Sequence, residues 1–506
     1  MDWRLRKLTA NRFNLIDEQW IPVSCAGRIS LKQIFEGPGK ETKLKHLGGD
    51  PVSKIAIFKL LLAIAQAAAT PANTEEWRKL EVSGLSAKVL AYLDKWRDSF
   101  YLFGDKPFLQ YPQLKSDKAL QQAALLPYIA AGNTTVLTQL QNAYELSDAE
   151  SAVLVVVQMS MCFSGKKADK SISLTPGYTK KSAPYGPGLG IAGFLHSFLT
   201  GSSILESVYF NLLTEQEIDG IRTFDNGLGR APWELMPEGE EDETARDLRA
   251  SYMGRLVPMA RFVLLHGSEI SITEGIRHPG YQEGVWDPSL TVSQTVKKGG
   301  KTEPKVLWAD PAKRPWRELP AILSFIDANS PTAGCMQLKF GLNKISGLQR
   351  NIGIWSGGVR VKNNAGEQFV TGKSDYVNSE IEFPKDIEPG DYASYCSEMK
   401  DLEKLSASVY SAVRSYYGEL GIDDPGPYGA SASEDFWELC GKYSQNMLNA
   451  VFSGDESELL SVRKKISAFV LSVYESHCQE GTARQIKAKF IHRPRTGWYL
   501  GNGSKK

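Results

Sequence analysis

The chain has 506 residues, long enough for two to four domains, and with 42% of them hydrophobic and 23% charged its composition excludes a disordered chain. Lys and Arg number 59 and Asp and Glu 58, so the formal net charge is +1, less basic than a protein that simply coats nucleic acid. The opening Met1-Asp2-Trp3-Arg4-Leu5-Arg6-Lys7 lacks the apolar core of a signal peptide, which predicts a cytoplasmic chain.

In chain order, Phe13-Asn14-Leu15-Ile16-Asp17-Glu18-Gln19-Trp20-Ile21-Pro22-Val23 alternates in part and breaks at a proline, predicting a short strand and its exit turn. After Asp50-Pro51 the apolar run over 55–68, interrupted by Lys59 and Gln66, predicts a buried helix rather than a membrane span. Asn73-x-x-Glu76 and Ser147-x-x-Glu150 have the pattern of capping boxes, and the second predicts a helix over 148–162. Residues 163–190 carry Gly165, Pro176, Gly177, Pro184, Gly186, Pro187, Gly188 and Gly190, too much punctuation for a long regular element. Helix is expected again over 191–213. From 257 to 309 the pattern turns to strands, at Phe262-Val263-Leu264-Leu265, Glu269-Ile270-Ser271-Ile272 and Leu290-Thr291-Val292. Val296-Lys297-Lys298-Gly299-Gly300-Lys301 reads as a basic hairpin turn, and two more short strands fall within 353–370. A boundary is expected near 383–390. Beyond it, helical period over 392–417, 433–452, 456–477 and, more weakly, 482–491 predicts an up-and-down bundle. The fold class is therefore α+β: a large mixed α/β N-terminal domain, residues 1–388, followed by a C-terminal four-helix bundle, residues 389–506.

Charge is unevenly spread. Residues 163–181 carry Lys166, Lys167, Lys170, Lys180 and Lys181 against Asp169 alone, and 482–506 carry Arg484, Lys487, Lys489, Arg493, Arg495, Lys505 and Lys506 with no acidic side chain. The acidic run Glu238, Glu240, Glu241, Asp242 and Glu243 reads as a solvated loop. The six cysteines (Cys25, Cys162, Cys335, Cys396, Cys440, Cys478) contain no C-x-x-C pair, and the six histidines lack metal-ligand spacing, so no metal and no cofactor is expected. Gly366-Glu-Gln-Phe-Val-Thr-Gly372-Lys373-Ser374 has one residue too many between its glycines for a phosphate loop, whose amides must converge on one phosphate. No ordered catalytic motif emerges. A lysine-rich loop is either a solvated turn or a phosphate contact with glycines that admit a close backbone approach, and spacing leaves both open.

Several separated stretches, in order, resemble the large subunit of the type I-E CRISPR surveillance complex Cascade, the CasA family. Residues 13–23 are similar to its amino-terminal signature, and Phe100-Tyr101-Leu102-x-x-x-Lys106-Pro107-Phe108-Leu109-Gln110 to its second. The Gly- and Lys-rich stretch after a buried helix, Leu212-Leu213, Trp286-Asp287-Pro288 and Thr295-Val296-Lys297-Lys298-Gly299 follow in family order. The resemblance implies a non-catalytic, cytoplasmic subunit, with no membrane attachment, that reads the protospacer-adjacent motif in double-stranded target DNA. Guide RNA would read the target itself by base pairing. It also implies help in opening the duplex for the R-loop, contact with guide RNA (crRNA) and other Cascade subunits, and recruitment of a helicase–nuclease effector.

By resemblance, Phe163, Ser164, Gly165, Lys166 and Lys167 form the flanking-motif loop, and Arg277 with His278 the basic finger. Gln349, Arg350 and Asn351 form the strand-separating wedge. Asn133, Thr134, Thr135, Val136 and Leu137 form the loop meeting the RNA handle and neighbouring subunits. The mid-chain cysteine cluster of some members is absent here, and the glycine loop is richer in lysine than expected. The alternative reading is a stand-alone hydrolase or nuclease with a fold-assembled active site. A third is an assembly scaffold whose basic loops meet only RNA.

Overall fold

The computed structural model describes residues 11–24, 27–37, 44–114, 116–126, 144–165, 167–179, 185–221, 223–296, 302–327, 330, 334–348, 352–364 and 366–501. The chain forms two compact units. The first comprises residues 1–311, 321–325 and 330–380; the second comprises 312–320, 326–329 and 381–506.

The first unit is built around the helix Pro51–Ala69. Asp50 caps it, accepting from the amides of Val52 and Ser53, and Pro51 occupies the first turn, where its missing N–H costs nothing. By length and composition this helix could cross a membrane, but it is buried inside the unit. It packs against the helices Thr74–Lys95, Asp148–Ser160 and Ile204–Asn211 and the strand Ile352–Val359. At Asn73 the side chain accepts from Glu75 and Glu76, while the Glu76 carboxylate takes the Ala72 amide, so the cap forms without the reciprocal bond to Asn73 itself.

The segment 191–213 departs from the expected helix. His196–Thr200 is a strand, antiparallel to Ile352–Val359 with Ile354 opposite Leu199, and only Ile204–Asn211 is helical. The strand is buried on both faces, though His196, Ser197 and Thr200 are polar, and a short run without alternation cannot be separated from a buried helix by periodicity. Asn211 returns from the helix to cover the strand: its Oδ1 accepts from the Leu199 amide at 3.1 Å and its Nδ2 donates to the Leu199 carbonyl at 2.8 Å. Strands do form over Arg261–His266, Glu269–Glu274 and Thr291–Val296, the last antiparallel to Thr302–Val306. Gly366, at φ +82°, turns the hairpin Lys362–Asn364 to Glu367–Phe369, while Gly372 precedes the short helical turn Lys373–Asp375, so the two glycines do not frame one phosphate loop.

The second unit is a bundle of the helices Pro389–Glu419, Gly426–Lys442, Ser444–Ser453, Glu456–His477 and Ala483–Ile491. The segment expected to be one helix over 433–452 breaks at Tyr443, which sits outside helical geometry at φ −113°, ψ 5°. Tyr395, Met399, Leu402, Leu405, Val409, Val413 and Tyr416 recur at helical spacing and make the buried stripe of the longest helix. Trp316 and Arg317 join this unit: the Arg317 guanidinium lies 3.5 Å from the centre of the Trp437 ring.

Candidate nucleic-acid interface

The glycine- and lysine-rich loop follows the helix Asp148–Ser160, whose start is fixed by the Ser147/Glu150 capping box. Its first residues are tied down rather than free. Arg261 donates to the Phe163 carbonyl at 3.2 Å. Buried Ser164 donates its amide to Gln368 Oε1 at 2.9 Å and its hydroxyl to the Gly366 carbonyl at 3.1 Å, and its carbonyl accepts from the Gln368 amide. Gly165 then turns at φ +141°, where a Cβ would stand 3.0 Å from Glu367 Cγ. The Gln368 side chain also donates to the carbonyls of Gly190 and Ile191, both at 2.9 Å, so one residue holds both ends of the loop. Gly186 and Gly188 donate to the carbonyls of Cys162 and Ser160, and a Cβ at Gly186 would fall 2.4 Å from the Ser160 oxygen. These glycines let the returning chain pass the helix end.

The acidic run is not simply solvated. Glu238 and Glu243 are exposed, but Glu240 is fully buried and accepts from the Ser173 hydroxyl at 3.0 Å and the amides of Leu174 and Thr175 at 3.1 and 2.7 Å. Amides turned inward at a bend need acceptors, and a carboxylate supplies several at once. Glu241 beside it takes a two-pronged contact from Arg249 at 2.9 and 3.0 Å. Asp169 anchors the loop a second way. Its amide donates to the Ile272 carbonyl at 2.7 Å, and the hydroxyls of Ser171 and Ser116 hold its carboxyl well below the usual carboxylate range.

Lys167 turns inward: its Nζ donates to the Ala124 carbonyl at 2.9 Å, and burial lowers its pKa. Lys170 is exposed, 3.4 Å from Glu274, while Lys166 lies outside the described residues. Arg277 is half-exposed and 3.8 Å from Glu283. His278 beside it is buried, with Nε2 2.6 Å from the Pro258 carbonyl, and burial and then Arg255 push its pKa down to about 3. It is therefore neutral at physiological pH and carries no charge for a phosphate. Arg277 and Tyr178 of the basic loop do line one cavity, so the structure brings these two segments together. Gln349, Arg350 and Asn351, between the helix Met336–Ile345 and the strand Ile352–Val359, lie outside the described residues, and so do Asn133, Thr134, Thr135, Val136 and Leu137, which precede the helix Asp148–Ser160. Residues 297–301 are likewise outside them, though the strands they connect are paired. No group of three or more His, Cys, Asp or Glu that could hold a metal ion occurs among the described residues.

A family model described as CRISPR-associated protein Cse1 matches residues 14–473. The chain belongs to the Cse1 family. A curated relative, the CRISPR-associated protein CasA/Cse1 of Thermus thermophilus, is 30% identical over 213 residues, a match spanning 40% of this chain and 40% of that relative. The fold is similar to that of Thermobifida fusca Cse1, with a TM-score of 0.75 at 17% identity over 98% of this chain and 99% of that one. It is also similar to a chain of a CRISPR RNA-guided surveillance complex, with a TM-score of 0.56 at 16% identity over 95% and 98%. Of the residues that hold the loop in this Cse1 chain, Gln368 and Arg261 went unread in the sequence, and Glu240 was read only as part of a solvated acidic run. Gln368 stands 204 positions from the amide it accepts, and no local pattern marks it.

Proposed function

We propose that this Cse1-family chain is the large subunit of an RNA-guided Cascade complex. There it reads the protospacer-adjacent motif in duplex DNA, helps open the duplex for R-loop formation and recruits a helicase–nuclease. It acts without catalysis of its own, in the cytoplasm, alongside guide RNA and the other subunits. The observation that carries this reading is the match of the Cse1 family model across residues 14–473. The division of labour follows: pairing with guide RNA selects the target, and protein needs to recognise only a short flanking motif and duplex shape.

In this reading residues 1–388 carry motif recognition and RNA-handle contact, and 389–506 the bundle. The loop 163–167 approaches the duplex. Its rigid Ser164–Gly165 base suits that task, because a fixed backbone loses little freedom on contact. The solvent-facing lysine of the loop's described part is Lys170, so phosphate contact falls to Lys170 and Lys166 more than to Lys167. Arg277 adds a half-exposed charge, Gln349 and Asn351 part the strands, and 133–137 meet the RNA handle.

The test is to assemble guide-loaded partner subunits with and without this chain and measure binding to duplexes whose flanking motif is randomised. Motif-dependent binding that disappears when the chain is omitted supports the reading; equal binding without it refutes the reading. Lys166→Ala with Lys170→Ala should weaken binding to all sequences and reduce the slope of log affinity against log salt by about 2, roughly one for each lysine removed from a phosphate. Gln349→Ala with Asn351→Ala should spare binding and slow strand opening.

A further inference from the structure

A cavity of about 310 Å³ lies in the first unit. One wall is the irregular segment 275–285, another is the basic loop at Tyr178 and Tyr185, and Arg255 and Asp287 line its depth. Arg255 is 5% exposed. Its Nη1 donates to the Pro279 carbonyl at 3.0 Å, but its Nε and Nη2 have no hydrogen-bond partner among the described residues. Those two N–H groups form one edge of the guanidinium, the fork that takes two oxygens of a single oxyanion.

The charges around the cavity sharpen the point. Three carboxylates line it, and each has a cation of its own. Asp287 is paired with Lys59, Glu274 stands 3.4 Å from Lys170, and Glu283 stands 3.8 Å from Arg277. Arg255 has no carboxylate within ion-pair distance among the described residues. Burial lowers its pKa to about 10, so it stays charged at neutral pH. His278 supplies the complementary group. Because Nε2–H is spent on the Pro258 carbonyl, the buried Nδ1, which also lacks a partner among the described residues, is an acceptor. A hydrogenphosphate or phosphate monoester offers both oxygens for the fork and, when protonated, an O–H for Nδ1. The half-buried rings of Tyr185 and Tyr281, which line the cavity, add flat apolar surface of the kind that receives a nucleobase.

We propose that this cavity binds a phosphate group, free or carried by a mononucleotide, with two phosphate oxygens on the Nε–Nη2 edge of Arg255. Asp287 does not cancel the site, since Lys59 already neutralises it. The site does not depend on assembly into a larger complex and is tested on the full chain alone.

The experiment is calorimetric titration with inorganic phosphate, AMP and adenosine at constant ionic strength. Phosphate and AMP should bind, with adenosine at least about tenfold weaker than AMP, and R255K, which keeps charge but loses the planar fork, should weaken both by about tenfold or more. AMP tighter than phosphate identifies a nucleotide; equal affinities identify free phosphate; both support the site. Should R255K fail to fold, a crystal structure of the parent chain grown with AMP decides instead, with phosphate density expected at Arg255. No binding by the parent, adenosine binding as well as AMP, unchanged affinity in folded R255K, or phosphate density elsewhere overturns the proposal.

Discussion

The Thr175 amide donates to Glu240 at 2.7 Å across 65 positions of sequence, and the same carboxylate takes the Leu174 amide and the Ser173 hydroxyl. One buried acidic side chain thus fixes the middle of a loop that is otherwise basic.

Removing that carboxylate leaves two inward-facing amides without acceptors. Glu240→Ala should cost about 2–4 kcal/mol of unfolding free energy, and Glu240→Gln, which keeps one acceptor oxygen, about half as much. Urea denaturation of the purified chain measures both. Parent-like stability in Glu240→Ala would show that the loop holds without it.

The Lys59–Asp287 pair is buried on both sides, with exposures of 1% and 8%. Lys59→Met strands a carboxylate that Lys59 otherwise holds ionised against the burial that would raise its pKa. The expected cost is about 3–5 kcal/mol, most of it recovered when Asp287→Leu is added, because an apolar pair replaces an ion pair more cheaply than half of one does. A double-mutant cycle in urea checks the sign of the coupling.

Stability should fall with acid before the carboxylates titrate. Burial, and next Lys59, lowers the pKa of His196 to about 4, and burial, and next Arg255, lowers that of His278 to about 3. Unfolded, both titrate near about 6.5, so below that pH the unfolded chain binds more protons. The stability present at pH 7 is then lost as pH falls toward 4 for His196 and toward 3 for His278. By pH 5 the loss is about 2 kcal/mol per histidine at about 1.4 kcal/mol per unit. In His278→Gln the difference between denaturation curves at pH 7 and pH 5 should shrink by about that amount.

Gly165 sits at φ +141° with Glu367 Cγ 3.0 Å from where a Cβ would stand. Gly165→Ala should therefore destabilise by about 1–3 kcal/mol. Limited proteolysis should cut the 163–179 region faster than in the parent. An unchanged cleavage pattern would mean the turn tolerates a side chain.

Where forces are local, the sequence is easy to read. The apolar run that became Pro51–Ala69, the Ser147/Glu150 box and the strands about 262–272 all appear in place, because capping and alternation act within a few residues. His196–Thr200 was hidden for the reason that makes it stable, burial on both faces. Glu240 looked like part of a solvated run because five neighbouring carboxylates suggest water, and only the fold reveals the amides that draw one of them inside. The loop's lysines were visible as charge, but not the Ala124 carbonyl that turns Lys167 inward. Of the residues the family resemblance singled out, Arg277 lies at the edge of a cavity whose buried guanidinium, Arg255, nothing in the local pattern distinguished from any other arginine.

Gln368 holds the Ser164 amide with one end of its side chain and the Gly190 and Ile191 carbonyls with the other. A segment whose ends are clasped this way resembles an exchangeable cassette. Loop-closure entropy grows only with the logarithm of length, so insertions between the clasped ends cost the scaffold little. Under selection the stretches of that segment away from Asp169 and from residues 173–175, which Glu240 holds, are free to drift in size and charge. Gln368 is not, since no other side chain of its length offers an acceptor and two donors in one plane.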